Sequence, residues 1–392
     1  MHPVIIVAAY LRDRSLHRLL NSLKIARYPN KTNIKVIISL DGGYSPKVAD
    51  VAEQFKSDFD LGEVEIIKRD KNIGLRNHII WCGDQTKLYG SVIILEDDIL
   101  VDPNFYYYAE EAIAFYAKDD RIGGISLYGQ RYNEYVNLPF EPMHDFSSCY
   151  LMQIPSSWGQ AWTEAQWDKF RHWYSTATAD QLEVCPLVPG TVKKWPETSW
   201  KKYYSYYLAV TSRYFVYPYL SYSTNCADGG THVKGKGTIK YQVPFARPDR
   251  PAEKFYFNTV GDSVCYDSFM EPSSSFIYDL LGVRREEVEI DFYGSKEIGL
   301  LAKKPYVLTT KKVSKYEKCF FLSNKPFENC LRVQALDGGL SGSYIYLADS
   351  KSVISNEPPI HILADYLSYF DTRSKKFILS NIIMFIKGMR PG

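Results

Sequence analysis

Three consecutive carboxylates, Glu96, Asp97 and Asp98, follow the apolar run Val92-Ile93-Ile94-Leu95. A continuous run of that kind reads as a strand buried on both faces, as in a parallel sheet. Hard oxygen ligands at the carboxyl end of such a strand suit a divalent cation and the phosphates it bridges. The pattern points to metal-dependent chemistry on a nucleotide-activated substrate, although an Asp-Asp pair read alone is also an ordinary acidic turn. Asp41 ends an earlier apolar run in Asp41-Gly42-Gly43, which reads either as a ligand-bearing strand end or as a turn. In Asn72-Ile73-Gly74-Leu75-Arg76-Asn77, Arg76 suits a phosphate or a salt bridge to the Asp cluster. Later, Asn225-Cys226-Ala227-Asp228-Gly229-Gly230-Thr231-His232 offers a carboxylate, two glycines that permit close backbone approach, and an imidazole able to complete a Mn²⁺ shell.

The elements that must position these groups alternate over the first hundred residues. Apolar runs at Pro3–Ala9, Asn33–Leu40, Val64–Ile67 and Val92–Leu95 predict strands, and Ser15–Ala26, Lys47–Phe55 and Asn77–Thr86 predict helices. Such alternation implies right-handed crossovers and a parallel sheet with helices on both faces. Ligands then lie beyond the carboxyl ends of the strands, where Asp41 and Glu96–Asp98 can meet. A helix from Asn104 to about Lys118 and a strand at Ile122–Tyr128 follow. Residues 130–160 lack a clear period and read as an irregular loop bordering the site. Thr163–Tyr174 and Ser199–Thr211 predict further helices, and Val216–Ser223 a strand. Three prolines and a run of charge in Pro244–Pro251 mark the expected boundary between a domain over 1–245 and a smaller α/β region over 246–392.

Composition narrows the classes. With 392 residues, 45% of them hydrophobic and 23% charged, the chain can bury a substantial core over two domains. A formal net charge of +2 carries nothing of the basic face of a nucleic-acid binder. Seven cysteines without a Cys-x-x-Cys spacing argue against a disulfide framework and a zinc ribbon, and fit a reducing cytoplasm. Val4–Ala9 follows only Met-His-Pro, without the basic leader and cleavage site of a signal peptide, and no stretch is long and apolar enough to span a bilayer. The 32 tyrosines suit sugar binding in part and packing for the most part.

Taken together, the strand ending in Asp41, the Asn72–Asn77 segment and Glu96-Asp97-Asp98 resemble the nucleotide-binding half of GT-A glycosyltransferases, an α/β fold whose Rossmann-like mixed sheet is flanked by helices. The likeness is greatest to the N-acetylglucosaminyltransferase I type and to related bacterial enzymes that build surface polysaccharides such as lipopolysaccharide and capsule. Ser157-Trp158-Gly159-Gln160-Ala161-Trp162 resembles the aromatic turn ahead of the acceptor-side helix, Thr198-Ser199-Trp200 the start of that helix, and Asn225 through His232 the late loop. Roughly residues 3–235 are covered. The resemblance implies transfer of a sugar from a nucleoside diphosphate sugar, most simply a UDP-sugar, with inversion, to a glycan or lipid-linked glycan. It implies Mn²⁺ or Mg²⁺ as cofactor, with Asp98 the direct ligand and His232 a second one. Glu96 and Asp97 would contact ribose and donor-sugar hydroxyls, and Asp41, Asn72, Gly74 and Arg76 would line the donor site. Trp158, Trp162 and Trp200 would stack on sugar faces. The resembled enzymes carry an Asp after the Trp that opens the helix, whereas Trp200 here is followed by Lys201 and Lys202. Glu197 is the nearest alternative general base, with Asp228 second.

Two other classes are open to the sequence. A sugar nucleotidyltransferase also needs metal carboxylates, but Ala8-Ala9-Tyr10-Leu11-Arg12-Asp13 lacks the Gly-rich loop expected after its first strand. A non-catalytic carbohydrate-binding or scaffold protein is the third. At the C-terminus, Ile378, Ile382, Phe385, Ile386 and Met389 fall on one helical face flanked by Lys375, Lys376, Lys387 and Arg390. Such a helix suits peripheral contact with an anionic cytoplasmic membrane surface, or docking on its own domain or a second subunit.

Overall fold

The computed structural model describes residues 2–29, 33–226, 228, 239–246, 248–249, 254–322, 324–332 and 344–355. Gly229, Gly230, His232 and the amphipathic segment over 373–392 lie outside the described residues.

The chain opens with β1 (Val4–Ala9), α1 (Asp13–Lys24), β2 (Ile34–Leu40), α2 (Pro46–Asp58), β3 (Gly62–Lys68), α3 (Gly74–Asp84), the single turn α4 (Thr86–Tyr89) and β4 (Ser91–Glu96). Every residue of β1 is buried, which a run of Val, Ile and Ala without a polar side chain permits. Leu16, Leu19, Leu20 and Leu23 repeat at helical spacing, and α1 packs that buried stripe on the sheet. At α2, the Ser45 hydroxyl accepts the Val48 amide and Pro46 takes the first turn, where its missing N–H costs nothing.

Then come β5 (Ile99–Val101), α5 (Phe105–Tyr116), β6 (Ile122–Ser126), the short pair β7 (Tyr132–Asn133) and β8 (Leu138–Pro139), β9 (Cys149–Met152), β10 (Gln160–Thr163), α6 (Glu164–Thr176), α7 (Ala179–Glu183), α8 (Gly190–Lys193), α9 (Trp200–Val210), β11 (Tyr214–Pro218), β12 (Ser223–Asn225) and β13 (Cys265–Tyr266). Among the described residues, nine strands form one mixed sheet in the order β13-β9-β11-β6-β10-β4-β1-β2-β3. Its β4-β1-β2-β3 half is parallel, as the alternation of runs predicts. The other half is not: β10 lies antiparallel between β4 and β6, and β11 antiparallel to β9. The stretch expected as an irregular loop over 130–160 therefore contributes β9 to the interior of the sheet and leads directly into β10. Four residues each are too short to show a period, and their register is imposed by neighbours distant in sequence.

By its internal packing the chain divides into two units. The first comprises Met1–Arg131 and His144–Met270; the second comprises Tyr132–Met143 and the described residues from Glu271 onward. The boundary expected at 245–246 thus falls inside the first unit, because Phe255, Val260 and Cys265 join its core and β13 pairs with β9. In the second unit, β14 (Val288–Asp291) and β15 (Tyr306–Thr309) are parallel, while β16 (Lys318–Phe321) and β17 (Tyr344–Asp349) complete an antiparallel arrangement in the order β14-β15-β17-β16. Among the described residues no helix is long and apolar enough to cross a membrane, and all seven cysteines are unpaired.

Candidate active site

In register, Ala8 of β1 lies beside Glu96 of β4, so the turn after β1 and the three carboxylates share one sheet edge. Arg12 occupies that turn. Its Nη1 donates to Asp98 Oδ2 at 2.8 Å and its Nη2 donates to Asp97 Oδ1. Two adjacent carboxylates thus converge on one planar cation, the fork geometry that guanidinium provides. Asp97 is buried, whereas the Asp98 side chain keeps 17% of its surface exposed. Burial pushes the Asp97 carboxyl up to about 6 despite Arg12. Glu96 is pushed up to about 8, by burial first and then by the charges of Asp98 and Asp97. A cluster of this kind is short of positive charge.

A second strand pair closes on the same place. β12 runs antiparallel to β5, with Asn225 opposite Ile99, and the Cys226 amide donates to the Asp98 carbonyl. Asp228 is thereby brought to α1, where it accepts from Ser15 Oγ at 2.7 Å and from both terminal nitrogens of Arg18. Burial alone would raise the Asp228 carboxyl, but Arg18 and Ser15 together hold it below the usual range.

Asp41 is placed at the same edge and is buried. Its Oδ1 accepts from the Gly42 and Ile73 amides at 2.9 Å each, and its Oδ2 from the Gly74 amide at 3.0 Å. Most of its acceptor capacity is therefore committed to holding the Asn72–Gly74 backbone at the start of α3, rather than left open to a donor ligand. Gly42 is required here, since a Cβ would stand 2.1 Å from the Lys71 carbonyl carbon. Asn72 is exposed and Gly74 has φ +77°.

Arg76 does not reach the carboxylates. Its Nη1 donates to the Glu197 carbonyl at 2.5 Å and to Tyr203 Oη at 3.2 Å, and its guanidinium lies over the Tyr203 ring. Arg12 fills the role of cation on the Asp cluster that Arg76 was expected to share. Glu197 is exposed and accepts from Lys202 Nζ at 2.6 Å and from Tyr203 Oη. Those partners hold its carboxyl below the usual range, which makes it a weak base, and it stands at the start of α9 rather than at the carboxylate cluster.

Of the three tryptophans expected to stack on sugars, Trp162 and Trp200 are buried in an aromatic core with Trp167, Tyr204 and Phe215. They are packing residues. Trp158 is half-buried, and with it stand two residues not expected at the site as partners: the Lys201 ammonium lies 5.8 Å from the Trp158 ring centre and 5.1 Å from that of Trp195. Arg12, Arg18 and Ser15 were missed as well. The signal for Arg12 was available, because a turn that follows the central strand of a parallel sheet faces the carboxyl ends of its neighbours.

Among the described residues no three His, Cys, Asp or Glu side chains stand together as a complete metal shell. A Mg²⁺-type site needs only one or two carboxylates when phosphate and water oxygens supply the rest. Asp97 and Asp98, already gathered on one cation, meet that requirement.

No protein-family model matches the sequence, and no curated protein matches it. Among solved structures, GalNAc-T7 with UDP, GalNAc and Mn²⁺ is similar over 60% of this chain and 47% of its own, at 13% identity and a TM-score of 0.39. TarS residues 1–349 from S. aureus with UDP-GlcNAc is similar over 60% and 62%, at 12% identity and a TM-score of 0.37. The mannosyltransferase PcManGT from Pyrobaculum calidifontis with GDP-Man and Mn²⁺ is similar over 44% and 47%, at 10% identity and a TM-score of 0.32. In each case the chain spans less than two thirds of the other protein's length. Overlaps so partial leave the reaction to be read from this chain's own residues.

Proposed function

We propose that the chain is a metal-dependent glycosyltransferase that takes a nucleoside diphosphate sugar, a UDP-sugar first among them, and transfers the sugar to a glycan hydroxyl in bacterial surface-polysaccharide synthesis. The observation that carries the reading is the convergence of Asp97 and Asp98 on a single cation at the carboxyl end of β4. Asp98, the more exposed of the two, would hold Mn²⁺ or Mg²⁺ with Asp97 behind it; His232 remains a candidate second ligand. When bound, the metal neutralises charge developing on the leaving diphosphate.

The chain's own residues supply the rest. Asp41 fixes the Asn72–Gly74 backbone at the donor edge, and Glu96 and Asp97 offer acceptors to ribose and sugar hydroxyls. Arg12, which stands on the two carboxylates that would hold the metal, would be a partner there for a phosphate oxygen. In the transfer, the bond from the anomeric carbon to the diphosphate oxygen breaks and one to the acceptor oxygen forms, and the acceptor proton passes to a base. Inversion requires that base opposite the leaving group. Both candidates are held below the usual carboxylate range, so placement decides between them: Asp228 lies two residues after Cys226, whose amide donates to the Asp98 carbonyl, and takes precedence over Glu197 on that ground.

The test is a thermal-shift screen of nucleotide sugars with and without Mn²⁺, followed by donor hydrolysis. Wild type is expected to be stabilised by UDP-sugar and Mn²⁺ together and to release UDP. Asp98→Ala should abolish both effects with its metal-free unfolding temperature kept, since the side chain is at a partly exposed strand end. Equal hydrolysis by the two proteins would refute the assignment.

A further inference from the structure

Trp158, Trp195 and Lys201 are left unused by the reaction as described. β10 runs antiparallel to β4 with Gln160 opposite Ile94, two residues before Glu96, and Trp158 lies in the turn that leads into β10. Trp158 is held there from a second side, because Ser223 Oγ donates to its carbonyl, and Ser223 belongs to the strand that pairs with β5 just after the carboxylates. Gly159, at φ +92°, makes the turn that allows this placement, and a Cβ on it would crowd Ser223 and Leu127 at 3.1 Å. Tyr241 packs against Trp158 at 5.0 Å between ring centres. Lys201, at the second position of α9, sets its ammonium by both indole rings, and its charge also acts on Glu96. All four side chains are half-buried.

We propose that Trp158, Trp195 and Lys201 form a sugar-recognition subsite selective for a glycan that carries a negative charge, a carboxylate or a phosphate on the pyranose. Half-buried indole faces present flat apolar area to the C–H face of a sugar ring. An ammonium held beside half-buried indole rings is less solvated than a lysine on an open surface and pairs more strongly with an anion. A neutral sugar gains the stacking alone, so the lysine sets specificity rather than general affinity. Only the naming of this glycan as the acceptor rests on the transferase reading; the binding itself does not.

The experiment titrates full-length protein with methyl glucuronide, glucose 6-phosphate and methyl glucoside, reading tryptophan fluorescence and ligand-observed NMR. At least one of the two anionic sugars is expected to bind about tenfold more tightly than the glucoside, and the stronger of them identifies carboxylate or phosphate as the source. Lys201→Gln should erase the preference and Lys201→Arg should keep it. In wild type alone, added salt should weaken the anionic sugar and leave the glucoside unchanged, which serves if a variant fails to fold. Equal affinity for charged and neutral sugars, or a preference that survives Lys201→Gln, overturns the proposal. Anionic preference without any Mn²⁺-dependent response to UDP-sugar would uphold the subsite and sink the transferase.

Discussion

Arg12 carries charge that the carboxylate cluster lacks without a metal, and its removal separates two effects. Arg12→Gln leaves Asp97 buried and unpaired beside Asp98. Breaking a fully buried pair costs about 3–5 kcal/mol; with the Arg12 side chain 29% exposed, a loss on the order of 2–3 kcal/mol is expected here after discounting for solvent. Thermal unfolding without metal should show that loss. Added Mn²⁺ should then stabilise the variant more than wild type, because the ion no longer competes with a guanidinium for the same oxygens. A variant with unchanged metal-free stability and an unchanged Mn²⁺ response would show that the fork does not neutralise the cluster. Glu197 and Asp228 illustrate the complementary point at this scale: a carboxylate is a base only when its partners let it be, and both are held in the ionised form by cations.

At the scale of elements, the junction of β2 and α3 shows how the sheet edge that carries Asp41 is held. Asp41 ties the α3 N-terminus to the end of β2, and His78 on α3 lies 2.8 Å through Nε2 from Ser39 Oγ on β2. His78 is buried, and burial pushes its pKa down to about 4. The folded protein therefore keeps a neutral ring, while the unfolded chain takes up a proton below about 6.5. Between those values the unfolded state binds more protons, so stability is lost as pH falls from about 6.5 towards 4. His78→Gln removes that proton site. The variant should be less stable than wild type at pH 7 by roughly 1–2 kcal/mol, for the altered buried contact, and the gap should narrow or reverse on acidification to pH 4.5. Parallel denaturant melts across the window measure it; a constant gap would mean that folding leaves the His78 pKa unshifted.

For the whole molecule, the consequential feature is where the first unit ends. Residues 254–270 complete its core rather than linking it to anything: Phe255 packs on Tyr108 and Tyr222, Tyr116 donates to the Asn258 carbonyl at 2.9 Å, and the Leu151 and Gln153 amides donate to Val264 and Tyr266. A fragment of residues 1–245 gives up these contacts. Each large apolar side chain so lost is worth about 1.5–3 kcal/mol, enough in sum to threaten a stability that is typically only about 5–15 kcal/mol. Residues 1–270 should therefore give a cooperative melt, and residues 1–245 should unfold at a much lower temperature or fail to accumulate. Equal melting temperatures for the two fragments would return the boundary to the proline-rich stretch.

The sequence by itself determined the parallel half of the sheet and the position of its carboxylates, because an apolar run that ends in Glu-Asp-Asp is a local pattern and local patterns are legible one element at a time. It also located α1 by its periodicity, and α6 and α9, whose caps Thr163 and Ser199 stand next to their own first turns. The tertiary structure decided which groups face that edge. Arg12 and Asp98 are 86 residues apart and Ser15 and Asp228 213, distances at which no spacing rule operates. Whether a tryptophan is core or surface was likewise undecided until β10 inserted between β4 and β6: the same turn and strand bury Trp162 at the centre of an aromatic cluster and leave Trp158, four residues earlier, at the rim beside Lys201. Residue type sets what a side chain can do, and strand order, fixed by pairings distant in sequence, sets what it meets.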